Sequence, residues 1–345
     1  MAEPFQLAIV GCGKIARRHL AACYLTEGVR LAAVVDTDLV RAKTLVEATG
    51  GGIVVATTPA DLPDGIDGAI IATPNHVHRE SAIACLQRGI SVLIEKPLAT
   101  SVADGEAICR AADQSQRIAA VGYATRFRGN VQLMKRLLDQ QYFGAIRRFA
   151  YQYGTRGGWA PLSNYNLDRN AVGGGVLVVT GTHFLDRMLY WFDYPREAAL
   201  SHDGTNGPDA NAFATFRFDH HGNEVEGHAR FSKTTVMSPC FVMDTEAGLV
   251  VLPDTDHAFI KHYPTSPSGL AIVLQPRDVG VGAKSDVFQL QLTDFVDACR
   301  NRRQPMVSAE VALDSMRLLK SLYSQAELLD ATLNPITLAK KLVSI

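Results

Sequence analysis

Gly11-Cys12-Gly13-Lys14-Ile15-Ala16 follows a short apolar run, residues 6–10, at the start of the chain. A strand that runs into two glycines and then at once into a helix is the opening of a βαβ unit. Gly11 permits the tight turn. Gly13 lets a pyrophosphate approach the main chain, and Ala16 allows close packing of helix on strand. The helix N-terminus offers free N–H groups to phosphate oxygens. Asp36 closes the next apolar run, residues 31–35, 20 residues past Ala16. A carboxylate there accepts hydrogen bonds from both hydroxyls of an adenosine ribose and repels a 2′-phosphate. These residues predict a dinucleotide site that prefers NAD to NADP. Arg41, one helical turn past Asp36, reads as a solvated helix residue.

The alternation continues. Short apolar runs at residues 53–56, 69–72, 92–94 and 118–121 are interleaved with helical segments. This is the pattern of a parallel sheet covered on both faces, a doubly wound α/β fold. Near Tyr123 the pattern changes. After a helix over about residues 130–141, period-two alternation takes over. Val225, Gly227, Ala229 and Phe231 face one way, and Glu226, His228, Arg230 and Ser232 the other. Ala212, Ala214, Phe216 and Phe218 repeat the rule. Gly248 separates two runs that read as a hairpin, and His220-His221-Gly222 reads as a hairpin turn. A polar face on each strand indicates an antiparallel sheet with helices on its other side. Two helices, about residues 285–300 and 308–329, close the chain. The expected division is an N-terminal Rossmann domain, residues 1–122, and a C-terminal α+β domain, residues 123–345, with a large, mostly antiparallel sheet.

The chain has 345 residues, 47% hydrophobic and 20% charged, with a net charge of −1. That balance provides no basic field for nucleic acid. No apolar run has the length of a membrane span, and no secretory signal is read at the N-terminus. Six scattered cysteines include no Cys-x-x-Cys pair. This fits a reducing cytoplasm and supports neither a zinc site nor a disulfide framework. His76 and His78 have no acidic or thiol companions, so no metal is expected; packing or surface roles fit both better.

Ile94-Glu95-Lys96-Pro97 ends a later strand of the first domain. Ligands of open α/β sheets sit at the carboxyl ends of strands. Lys96 therefore places an ammonium where a nicotinamide would lie. Thr73-Pro74-Asn75 ends the strand before it. Thr73 and Asn75 either contact the ribose or nicotinamide, or Asn75 caps a helix.

Together these motifs resemble the glucose–fructose oxidoreductase, inositol dehydrogenase and rhizopine-catabolism family, Gfo/Idh/MocA. The resemblance spans nearly the whole chain. It rests on Gly11-x-Gly13-x-x-Ala16, Thr73-Pro74-Asn75 with His78, Glu95-Lys96-Pro97, Arg126-Phe127, Gly173-Gly174-Gly175 and Gly181-x-His183-x-x-Asp186. It implies NAD contacts from Gly11, Gly13, Lys14, Ile15, Ala16, Asp36, Thr73, Asn75, Glu95 and Lys96. It implies a cis peptide before Pro97. It also implies assembly into a homodimer or homotetramer through the C-terminal sheet. The implied reaction is hydride transfer between a secondary hydroxyl of a sugar or cyclitol and the nicotinamide. Lys96 would contact the reacting oxygen and His183 would transfer the proton. Many members carry an aspartate four residues before that histidine. Here the position is Val179, which leaves Thr180, Thr182, Tyr165 and Asp168 as candidates to replace the acid.

Hydride transfer from an alcohol requires a group that takes the hydroxyl proton, and the imidazole of His183 suits that task. Lys96 suits stabilisation of the developing alkoxide. On the substrate side, Arg126, Arg156, Trp159, Tyr165, Asp168, Thr180 and His183 flank the reaction centre. Rings stack on sugar faces, and Arg126, Arg128 and Arg156 admit an acidic or phosphorylated sugar. Two other functions remain open on the sequence. One is redox-neutral glycoside cleavage or epimerisation through a transient 3-keto intermediate. The other is a non-catalytic NAD sensor.

Overall fold

The computed structural model describes residues 3–49, 51–157, 175–205, 208–254, 259–266, 269–276 and 286–329. Six parallel strands form the first sheet: β1 (Phe5–Val10), β2 (Val29–Val35), β3 (Val54–Ala56), β4 (Gly68–Ile71), β5 (Ser91–Ile94) and β6 (Ala119–Val121). Their order is β3-β2-β1-β4-β5-β6. The order reverses between β1 and β4, so the crevice of a doubly wound sheet opens at their carboxyl ends. β1, β4, β5 and β6 are short, apolar and almost wholly buried on both faces, as parallel strands between helices must be, while the edge strand β3 is partly exposed. Those helices are α1 (Ala16–Leu25), α2 (Leu39–Val46), α3 (His78–Gln87) and α4 (Val102–Ser115). Asp38 caps α2 and Ser101 caps α4, each through its side-chain oxygen.

After α5 (Gly129–Asp139) the chain builds a second sheet. Its strands are β7 (Ile146–Gly154), β8 (Glu197–His202), β9 (Asn211–His220), β10 (Asn223–Ser232), β11 (Met237–Thr245), β12 (Gly248–Pro253), β13 (Ile260–Pro264), β14 (Ile272–Leu274) and β15 (Glu327–Leu328). The order is β14-β13-β12-β11-β7-β10-β9-β8-β15. Pairing is antiparallel except at β7–β10 and β8–β15. The alternation read in β9 and β10 holds: Val225, Gly227, Ala229 and Phe231 are buried, as are Ala212, Ala214, Phe216 and Phe218. Gly227 faces Phe149, where a side-chain carbon would lie 2.2 Å from the ring. His221 and Gly222 both take positive φ, which closes the β9–β10 hairpin.

Helix α6 (Thr182–Phe192) lies on the buried face of this sheet. It is apolar because it is covered on nearly every side: Phe184 stacks on Tyr151 at 4.7 Å, and Phe192 on Phe149 at 5.1 Å. A π-helical segment, Leu177–Gly181, leads directly into it.

The last two helices, α7 (Val287–Asn301) and α8 (Ala309–Ser324), return to the first sheet. Leu292 and Phe295 of α7 join the core under β1 and β2. Leu313 and Met316 of α8 join the core on the opposite face. Val121 of β6 donates its N–H to Val307 at 2.9 Å. Helix α8 ends before the expected residue 329, because Glu327 and Leu328 leave it to pair with β8.

Candidate active site

The glycine loop is fixed by its neighbours. Gly11 has φ +93°, and a Cβ on it would lie 2.7 Å from the main chain of Ala72 and Thr73. Only glycine tolerates both conditions. Gly13, by contrast, faces open space, with nothing within 4 Å of an added Cβ. No side chain caps α1, and its first turn holds no acid. Main-chain donors beside an open cradle are what a pyrophosphate requires, so the residues present fit a bound dinucleotide. Lys14 is exposed and Ile15 half-buried at this helix start.

Asp36 stands beside the loop, 8% exposed. Its carboxylate accepts the N–H of Cys12 at 2.8 Å and that of Asp38 at 2.9 Å. It also meets Arg41, whose guanidinium donates at 3.3 Å. Arg41 is half exposed, as a solvated helix residue is, and it also pairs with both Asp36 and Asp38 at 3.3 Å.

Two loops at the carboxyl ends of β4 and β5 are tied together by His78. One ring nitrogen lies 2.9 Å from the carbonyl oxygen of Pro97, the other 2.9 Å from that of Thr73. The ring is fully buried, and burial pulls its pKa down. His76 is exposed. Among the described residues no cluster of His, Cys, Asp and Glu has the makings of a metal site. Asn75 begins a 3₁₀ turn, Asn75–Val77, but its side chain caps neither that turn nor α3. The Thr73 hydroxyl is buried without a partner.

The peptide between Lys96 and Pro97 is cis. The Lys96 ammonium donates to the carbonyl oxygen of Val179 at 3.2 Å. Burial lowers the pKa of Lys96 and the neighbouring Glu95 carboxylate opposes that shift. Val179 lies inside the π-helical segment, and His183 follows in the first turn of α6. The site thus brings Lys96 and His183 together across the two domains, with a main-chain oxygen at the position where an acid was expected. π-Helical turns recur at functional sites.

His183 packs edge-on against Tyr123 at 6.0 Å. Its Nδ1 is buried with no hydrogen-bond partner. Burial, then Lys96, Arg128 and Arg187, hold its pKa well below the usual histidine value, and Asp254 opposes them. The imidazole is neutral at neutral pH.

Behind His183 lies an ion cluster that the sequence reading missed. Asp254, at the end of β12, takes both terminal nitrogens of Arg187, at 2.5 and 2.9 Å. It also accepts from Arg128 at 2.8 Å and from the Tyr151 hydroxyl at 2.7 Å. Arg187 Nε reaches the carbonyl oxygen of His183 at 3.3 Å. The cations hold the Asp254 carboxyl far below its usual pKa.

Arg126 was expected on the substrate side. The structure instead buries its guanidinium on Asp186, with Nε and a terminal nitrogen each 2.8 Å from a carboxylate oxygen, and lays it over the Tyr190 ring at 4.7 Å. A buried guanidinium needs such a partner, so its donors point into the protein. Arg156 is exposed just past β7, and Thr180 is half-buried in the π-helical segment. Trp159, Tyr165, Asp168, Gly173 and Gly174 lie outside the described residues.

Residues 5–123 match the family model described as an oxidoreductase family with an NAD-binding Rossmann fold. Residues 131–248 match that of the GFO/IDH/MocA C-terminal domain. The rhizopine catabolism protein MocA of Rhizobium meliloti is 26% identical over 336 residues, covering 96% of each chain. The D-glucoside 3-dehydrogenase of Escherichia coli is 24% identical over 357 residues, covering 94% of this chain and 96% of that one. The fold is also that of the WlbA dehydrogenase of Bordetella pertussis, solved with NADH and UDP-GlcNAcA. There the TM-score is 0.81 at 18% identity, over 94% of this chain and 96% of that one. With both of its domains matched in order, and the cofactor cradle and lysine loop in place, the chain belongs to the Gfo/Idh/MocA family of NAD-binding oxidoreductases.

Proposed function

We propose that the protein transfers a hydride between a secondary hydroxyl of a sugar, sugar derivative or cyclitol and NAD. The observation that carries this reading is the meeting of Lys96 and His183 at the carboxyl end of β5, beside the glycine cradle. The names of the relatives, a glucoside 3-dehydrogenase and inositol 2-dehydrogenases among them, support the substrate class.

NAD supplies the hydride acceptor when bound. The chain does the rest. Asp36 and the free N–H groups of the loop hold the dinucleotide. Lys96 points its ammonium at the reacting oxygen and stabilises negative charge there. His183, neutral at working pH, accepts the hydroxyl proton. Residues 1–122 carry the cofactor side and residues 123–345 the substrate side, with α7 and α8 bracing the former. We further propose a cytoplasmic homo-oligomer assembled through the nine-stranded sheet. Among the described residues no helix is long and apolar enough to cross a membrane.

The test is the cofactor content of the purified protein, followed by a sugar and cyclitol panel with added NAD. Net NADH formation supports the proposal. Glycoside cleavage without net NADH would replace it with redox-neutral chemistry, and NAD binding with no turnover on any substrate would leave a sensor. Lys96→Ala should retain NAD and lose about a hundredfold or more in turnover. Wild-type turnover in that variant would remove Lys96 from the reaction centre.

A further inference from the structure

His19 lies on α1, three residues past Ala16, and is 1% exposed. Its Nε2 is 2.8 Å from one oxygen of Glu95. The other oxygen of that carboxylate accepts the main-chain N–H of Lys96 at 3.2 Å. The His19 ring packs edge-on against Phe288 of α7 at 5.1 Å. Arg18 lies over the same Phe288 ring at 4.7 Å and pairs with Asp286 at 3.2 Å. Helix α7 therefore closes over a chain of contacts that runs from α1 to the lysine.

A buried carboxyl group with no donor takes up a proton. Burial acts against the charge of Glu95. The His19 hydrogen bond leads the contacts that override burial and hold the carboxyl below its usual range. We propose that His19 is a positioning residue for Lys96: it keeps Glu95 as a carboxylate, and that carboxylate fixes the Lys96 main chain and faces its ammonium with a negative charge. The proposal rests on the reading of Lys96 as the ammonium of the reaction centre.

The charged and titratable neighbours are few and come from several elements. Around Glu95 stand His19 of α1, Lys96 and His78 of α3. Around Lys96 stand Glu95, His183 of α6 and Lys233, just past β10. Burial and Lys233 act against a charge on Lys96, and Glu95 is the group that sustains it. Loss of the Glu95 charge moves Lys96 toward its neutral form at a given pH.

His19→Phe retains a ring against Phe288 and removes the donor. His19→Gln places an amide N–H near the position of Nε2. Glu95→Gln removes the charge alone. The readout is the titration of Lys96, followed by NMR of ¹³Cε-labelled lysine in the full-length protein without cofactor, with Lys96→Arg identifying the resonance. The pH profile of turnover is measured alongside. His19→Phe and Glu95→Gln should move the Lys96 titration to lower pH by about one unit, and His19→Gln should stay near wild type. Should His19→Phe not fold, Glu95→Gln and His19→Gln still decide the matter. An unchanged titration in folded His19→Phe or Glu95→Gln overturns the proposal, as does a shift in His19→Gln equal to that in His19→Phe. A shifted titration without a matching shift in turnover upholds the role of His19 and instead removes Lys96 from the chemistry.

Discussion

The ammonium of Lys96 and the carbonyl oxygen of Val179 are 3.2 Å apart. A residue near the end of a Rossmann strand is thereby held by the main chain of the second domain. The contact uses no Val179 side-chain atom, so it does not depend on which side chain stands at 179. Val179→Asp would add a negative charge close to both Lys96 and His183. Both groups should then titrate at higher pH, and the limbs of the pH–rate profile should move upward together, as for a coupled set. An unaltered profile in a folded variant would mean that the side chain at 179 faces away from both groups.

We propose that cofactor choice depends on Asp36 and Arg41. With Asp36 present, Arg41 is paired and the pocket repels a 2′-phosphate. Asp36→Ser should leave Arg41 paired with Asp38 alone and narrow the preference for NAD over NADP, as read from the Kd of each. The Cys12 N–H also loses its acceptor, so NAD itself should bind less tightly. Tighter binding of NADP than NAD by the native protein would contradict the assignment.

His183 carries a stability signature of its own. Its pKa is lowered in the folded protein, so the unfolded chain binds the proton first. Stability is therefore complete above the unfolded value of about 6.5 and falls as pH drops through it, until the folded value is reached. His183→Leu should flatten that acid-side loss in denaturant titrations while abolishing most turnover. Near-normal turnover in folded His183→Ala would refute the proton-transfer role.

Asp254 should be the costliest of the polar residues to remove. Asp254→Asn leaves Arg128 and Arg187 without their shared carboxylate. Loss of one partner from a buried ion cluster destabilises by about 3–5 kcal/mol. Chemical denaturation at neutral pH measures this directly. A loss below about 1 kcal/mol would mean that the cluster is hydrated, like a surface pair.

The two-sheet architecture was legible because periodicity is a local property. Residues 6–10 and Gly11 announce the first sheet, and Val225 to Phe231 the second. The glycine loop, Asp36, Lys96 and His183 could be singled out as candidates because short motifs carry them. What escaped the sequence depends on contacts between distant segments. Nothing near Arg126 reveals that Asp186 will claim its guanidinium. Asp254 ends an ordinary strand and acquires meaning only when α6 brings Arg187 against it. His19 looks like a helix residue until β5 delivers Glu95 to it.

The return of α7 and α8 to the first sheet bears on how the protein is made. Phe295, Leu313 and Met316 lie in the cores that flank β1 to β6, and Val307 supplies an acceptor for β6. The strands of the first sheet leave the ribosome early, yet their core is completed by α7 and α8, which are synthesised after β7 to β14 of the second sheet. Folding of the nucleotide cradle is thus coupled to synthesis of α7 and α8, and a polypeptide stopped after β6 would expose apolar surface on both faces of its sheet.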